Sequence, residues 1–186
     1  MKYFSSDFHL GHEKVRQLSS RPFATIEDMD DHIVENMIAP LKSGDEFYFL
    51  GDLARDVASA AKFFTRLPKH IKFFWILGNH ERTAGQFRHH CTAMVPLKDI
   101  KIKSNIPVTL CHYPMITWNK SHYGAWQLFG HHHINSHGHD KIDQLASGKQ
   151  LNVNCEMHDY VPWSEDEIIE YMKTRPDNWD LIRDKT

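Results

Sequence analysis

The sequence predicts a layered α/β sandwich of mixed sheets, and three observations carry that expectation. Short apolar runs of strand character alternate with segments of helical periodicity through the first half of the chain. In the second half such runs continue without long helices between them. Most of the runs stop abruptly at a glycine or at a polar side chain able to bind a metal. Alternating strands and helices imply parallel pairing with crossover connections, whereas the second half suits hairpin-like pairing.

The elements follow in order. Lys2–Ser6 reads as a strand that ends at Asp7. From about Thr25 to Met37, Ile26, Met29, Ile33 and Met37 recur at helical spacing, with Thr25 as N-cap, and Pro40 and Gly44 close the helix. Glu46–Leu50 is a second strand and stops at Gly51-Asp52. Val57–Leu67 is an amphipathic helix through Ala60, Ala61, Phe64 and Leu67, ended by Pro68. Lys72–Leu77 is a third strand and stops at Gly78-Asn79-His80-Glu81. Lys98–Ile102 is a short strand, Ile106–Cys111 a strong one stopping at His112, and Trp126–Phe129 another, stopping at Gly130-His131-His132-His133. Gln150–Asn154 is the last strand. Ser164–Lys173 is a helix whose Ser164 and Glu167 form a capping box, followed by a polar tail, Arg175–Thr186, that docks loosely.

Composition narrows the function classes. The 186 residues suit one well-buried domain, residues 1–186, with no repeat or linker. A net charge of −2 builds no basic docking surface for nucleic acid into the average, although it does not exclude such a substrate. Cys91, Cys111 and Cys155 have no paired spacing, there is no signal pattern, and no run reaches membrane-spanning length. These features point to a cytoplasmic protein with no membrane contact and no obligate protein partner. The outlying figure is fifteen histidines, several of them at strand ends.

Five strand-like runs are followed at once by metal-capable side chains: Asp7 and His9; Asp52; Asn79 and His80; His112; His131 and His133. Carboxylates and imidazoles suit Mn, Fe, Zn, Ni or similar divalent ions. If strand geometry persists, Asp7 and His9 share a face, as do His131 and His133, with His132 pointing elsewhere. Each piece alone has an ordinary explanation, as a turn, a cap or a surface histidine. Turn preference does not explain five histidines and two aspartates placed in this order.

The ordered set Asp7-x-His9, Gly51-Asp52, Gly78-Asn79-His80-Glu81, His112 and Gly130-His131-x-His133 resembles the calcineurin-like metallophosphoesterase superfamily. The segment around Val153, Pro162 and the Ser164-capped helix resembles the end of small bacterial and phage-type members. The resemblance implies a four-layer α/β/β/α sandwich and two divalent metal ions. It implies that Asp7, His9 and His133 hold one ion, that Asn79, His112 and His131 hold the other, and that Asp52 bridges both. His80 is the implied catalytic acid beside the substrate. The implied reaction is hydrolysis of a phosphodiester or phosphomonoester by a metal-activated hydroxide. Asp52-Leu53-Ala54-Arg55 lacks the Asp-Arg-Gly extension of protein Ser/Thr phosphatases, so a small substrate is expected, such as a nucleotide or single-stranded nucleic acid.

Among secondary residues, His12 either reaches the substrate or starts a helix, and Arg55 either contacts a phosphate or pairs with a neighbour such as Asp56. Tyr113, Trp118, Tyr123 and Trp126 are a stacking platform or core. His137 and His139 read as solvated, and Arg21-Pro22-Phe23 as shaping the approach to the first helix. Two other function classes stay in view: a catalytically silent interaction module, which should lack ligands, and a metal store, which needs no catalytic histidine.

Overall fold

The computed structural model describes residues 1–133 and 148–182, so His137 and His139 lie outside the described residues. In chain order the elements are β1 (Lys2–Ser5), α1 (Glu13–Leu18), α2 (Ile26–Ile38), β2 (Glu46–Phe49), α3 (Val57–Arg66), β3 (Lys72–Ile76), β4 (Ala93–Val95), β5 (Leu97–Lys101), β6 (Pro107–Cys111), β7 (Trp126–Phe129), β8 (Gln150–Asn152), β9 (Trp163–Ser164) and α4 (Glu165–Lys173). They form an α/β structure with two mixed sheets, ordered β4-β3-β2-β1-β9 and β5-β6-β7-β8.

The first sheet is apolar on both faces because both are covered. Along β2 and β3, Phe47, Phe49, Phe73 and Trp75 pack with Met29, Ile33 and Met37 of α2 and Ala60, Phe63 and Phe64 of α3. The alternate residues Tyr48, Leu50 and Ile76 turn the other way, onto Val108, Leu110, Leu128 and Leu151 of the second sheet. Period-two alternation thus feeds two cores from one strand. Thr25 caps α2 by accepting from the Asp28 amide, and Asp56 caps α3 by accepting from Ser59. The capping box at Ser164 and Glu167 is formed.

The hairpin-like pairing expected of the second half is corrected. Within the second sheet, among the described residues, only β5 and β6 are antiparallel; β6, β7 and β8 pair in parallel. Parallel strands need a connection of about a dozen residues or more, and the long stretch from His112 to Ala125 supplies one without an α-helix. It lies on the outer face of the sheet, where Gln127 donates to the Tyr113 carbonyl (2.9 Å) and Gln150 to that of Met115 (2.9 Å). Among the described residues the layers are therefore helices, sheet, sheet, with loop outside, while Ile168 and Met172 of α4 join the core between the sheets.

Three short elements escape the sequence reading. α1 buries none of its residues, β4 has three residues and β9 two, so none shows a period. The tail is held more firmly than expected. Asn178 is buried, accepts from the Lys149 amide and donates to the Ser121 and Ala125 carbonyls, although Trp179 stays exposed.

Candidate metal centre

The loops after β1, β2, β3, β6 and β7 bring their polar residues together. They do not do so by continuing strand alternation, as the sequence suggested. Asp7 (φ 60°), His9 (φ 51°), Asp52 (φ 63°) and His131 (φ 72°) all lie in the left-handed region, uncommon for residues with a Cβ. Such positions cost on the order of 1–3 kcal/mol each and persist only when their surroundings over-determine them. Here the first two loops are laced together: Asp7 N–H donates to Gly51 O (2.9 Å), His9 N–H to Asp52 O (3.0 Å), and Arg55 N–H to Leu10 O (2.9 Å). Gly51 (φ +97°) leaves no room for a Cβ, which would stand 2.7 Å from both the Gly78 nitrogen and the His112 ring. A Cβ at Gly130 would overlap Ser6 and the Asp7 carboxylate.

Seven side chains converge. His9 Nε2 stands 3.1 Å from His133 Nε2, and Asp7 Oδ1 lies 3.9 and 3.7 Å from these two nitrogens. Asn79 Oδ1 lies 3.0 Å from His112 Nε2 and 3.1 Å from His131 Nδ1. Asp52 Oδ2 is 3.5 Å from His9 Nε2 and 3.5 Å from His112 Nε2, so it sits between the two groups. Asp7, His9 and His133 meet a geometric test for holding an ion, as do Asp7, Asp52 and His112. Ligand atoms about 2.0–2.2 Å from one ion stand roughly 3–3.5 Å from one another, close to the spacings seen.

Charge supports the same fit. Asp7 and Asp52 are buried, with no ammonium or guanidinium on their carboxylates among the described residues. Burial raises the Asp7 pKa, against the pull of His133 and His112, and Asp52 raises it further. Burial and the nearby His133 hold His9 far below the ordinary histidine range, so it is neutral, the ligand form. Two buried carboxylates with no ammonium or guanidinium beside them call for the positive charge that buried anions need. Divalent cations would supply it.

The residues that aim these ligands were largely invisible in the sequence. His112 Nδ1 donates to the Leu50 carbonyl (2.7 Å), leaving Nε2 free to point inward. His133 Nδ1 meets Glu156 (2.8 Å), which the buried Arg21 also holds (2.7 Å). Arg21 further donates to the carbonyls of Asp7 (2.7 Å) and Phe8 (2.6 Å). It is a support of the site, not merely a shaper of the helix approach; its one sequence signal is Pro22, which keeps it off a helix surface. Glu156 carried no signal. Burial lowers His133, but the Glu156 bond and the Asp7 charge outweigh it and raise its pKa. Glu81 Oε1 accepts from the Asp52 amide (2.6 Å), Trp75 Nε1 (3.0 Å) and the Gly78 amide (3.2 Å), tying the second loop to the third.

His80 is exposed and contributes its backbone to the cluster, donating N–H to Asp52 Oδ1 (2.8 Å). Its ring lies 5.4 Å from that of His9, centroid to centroid. It lines a cleft of about 460 Å³ with His9, His12, Arg55, Asp56 and Arg82. His12 caps α1 through Nδ1 and also lines the cleft. Arg55 makes no ion pair with Asp56 among the described residues. On the other side, the exposed Tyr113 stands edge-on to His131 (4.8 Å) and near His112 (5.0 Å). Tyr123 is exposed as well, whereas Trp118 is buried and Trp126 half-buried. His132 contributes its carbonyl, which accepts from Asn152 and Asn154.

No family model matches the chain. It is 28% identical over 177 residues to the uncharacterized protein MJ1445 of Methanocaldococcus jannaschii, covering 92% of this chain and 90% of that protein. Its structure is similar to the crystal structure of AQ665, a protein of unknown function from Aquifex aeolicus, with a TM-score of 0.72, 24% identity, and 92% and 98% of the two chains covered. The likeness shows a shared fold. Among the described residues no helix is long and apolar enough to cross a membrane, and Cys91, Cys111 and Cys155 are free.

Proposed function

We propose that this chain is a dinuclear metal-dependent phosphoesterase on the four-layer sandwich of the calcineurin-like superfamily, acting in the cytoplasm on nucleotides or other small phosphate esters. One observation carries the reading: Asp52 Oδ2 lies 3.5 Å from a nitrogen of each of two ligand groups, where one carboxylate serves two ions. Asp7, His9 and His133 hold the first ion, and Asn79, His112 and His131 the second. Two such ions lower the pKa of bound water and neutralise charge on phosphoryl oxygens.

The chain's own residues do the rest. The buried Asp7, backed by Ser6 and the His131 amide, keeps the ligands aligned before substrate arrives. His80, exposed beside the cluster with its backbone tied to Asp52, is placed to give a proton to the departing alkoxide. Tyr113 offers an exposed aromatic ring next to the second group, whose face suits stacking of a base.

The test compares His80→Ala with wild type on an alkyl and a nitrophenyl ester of the same phosphate, with bound metal measured in both. Proton donation predicts a loss of about 10²–10⁴-fold on the alkyl ester and much less on the nitrophenyl ester, whose leaving group needs no proton. Equal losses with full metal would assign His80 to phosphate positioning instead.

A further inference from the structure

The cleft that opens from the first ligand group contains more positive donors than one phosphoryl group needs. Arg55 and Arg82 both line it, alongside His12 and His80. The two arginines come from different loops, each with a fixed backbone. Arg55 N–H donates to Leu10 O (2.9 Å), and Arg82 follows Glu81, the residue that locks the third loop through three donors. Both guanidiniums are exposed and neither has an ion-pair or hydrogen-bond partner among the described residues, unlike Arg16, Arg21 and Arg66. His12 adds a neutral donor: its Nδ1 accepts from the Val15 amide (3.2 Å), so the ring proton sits on Nε2. The cleft's one acid, Asp56, is turned to its helix, accepting from the Ser59 amide (2.8 Å).

We propose that Arg55, Arg82 and His12 form a subsite for a second phosphate, so that the substrate class is a small molecule carrying two neighbouring phosphates. The proposal rests on the phosphoesterase reading and narrows it. A phosphate dianion presents three oxygens, which suits two planar forks and one imidazole N–H arriving from separate loops. The subsite binds and orients; it takes no part in bond breaking. A phosphate anchored there sets the scissile group against the ligand cluster, where His9 lines the same cleft.

The test uses the full, metal-loaded chain and two probes that cannot be hydrolysed, methylphosphonate and methylenediphosphonate, with affinities read by calorimetry and retained metal by dialysis. Wild type should prefer the diphosphonate by at least about tenfold, the scale of one charge-assisted contact. Arg55→Ala and Arg82→Ala should each cut that preference at least about threefold, and the double variant should nearly abolish it. Arg→Lys variants should fall between, since they keep the charge and lose the fork. No preference in wild type, or a preference unchanged in the double variant, would overturn the subsite; the latter would assign it to chelation at the ions. Turnover of adenosine 5′-diphosphate and adenosine 3′,5′-bisphosphate against the 5′-monophosphate then shows which spacing fits, and neither exceeding the monophosphate counts against the proposal. A protein that keeps the diphosphonate preference but hydrolyses no phosphate ester contradicts the phosphoesterase reading alone.

Discussion

The two ligand groups are supported in opposite ways. The first, Asp7, His9 and His133, is backed by charged side chains from far along the chain: Glu156 on His133, and Arg21 on Glu156 and on the Asp7 carbonyl. The second, Asn79, His112 and His131, is backed by main chain, through the Leu50 carbonyl on His112, and Asn79 is exposed to solvent. Asp7 and His9 are buried. The first group is thus tuned by charge and the second by backbone.

Asp52 belongs to both halves, so its loss should have the largest effect. Asp52→Asn keeps the side-chain shape but removes the shared charge, and turnover should fall to background with bound metal reduced on both sides. A variant that keeps two ions per chain and near-normal turnover would remove Asp52 from the bridging position.

Next in size are changes behind the first group. Arg21→Ala removes the guanidinium from the buried Glu156, and breaking a buried pair costs about 3–5 kcal/mol, readable in denaturant unfolding of the metal-free protein. Glu156→Gln should weaken one ion's affinity by about 10–100-fold and leave the other near wild type. Equal weakening of both ions would erase the contrast between the two groups.

The smallest effect is on pH. In the metal-free protein the folded-state pKa of His133 is raised by Glu156 and Asp7 despite burial. Its protonation therefore stabilises the fold fully below the ordinary histidine pKa, and that stability is lost as pH rises through the folded value. Burial raises Asp7 too, so its ionised form also opposes folding above the acid range. His9, His12, His90, His131 and His132, whose pKa values burial lowers, act in the opposite sense and favour the fold as pH rises. The His133 part is therefore read as a difference: the stability of the metal-free wild type relative to Glu156→Gln should decline from mildly acidic toward alkaline pH. A difference between the two proteins that stays flat or grows with pH would contradict the assignment.

These contrasts also show where sequence reading stops. The ligands were legible because each interrupts an apolar run, and a polar residue at a strand end announces itself without knowledge of the fold. The helices α2, α3 and α4 were legible through period and caps. Arg21 and Glu156 were not, since their contact joins residues 135 positions apart and a buried ion pair leaves no local pattern. The parallel course of β6, β7 and β8 was hidden because their crossovers contain no long helix to signal them. The left-handed turns at Asp7, His9, Asp52 and His131 were hidden as well. Alternation suggested that Asp7 and His9 face one way, which is true of their ligand atoms for a different geometric reason.

The central claim is that two ions sit in one shared site and that hydrolysis needs both. Its most direct test is titration of the metal-free protein with Mn²⁺, following heat, melting temperature and turnover of bis(4-nitrophenyl) phosphate on the same samples. The account predicts two equivalents bound per chain and turnover that appears with the second. Saturating metal should raise the unfolding free energy by about 2.7 kcal/mol per ion at a hundredfold excess over Kd, about 5.4 kcal/mol for two, a shift of roughly 10–20 °C for a chain of this size. A single equivalent, or two with no turnover of any phosphate ester, would contradict it.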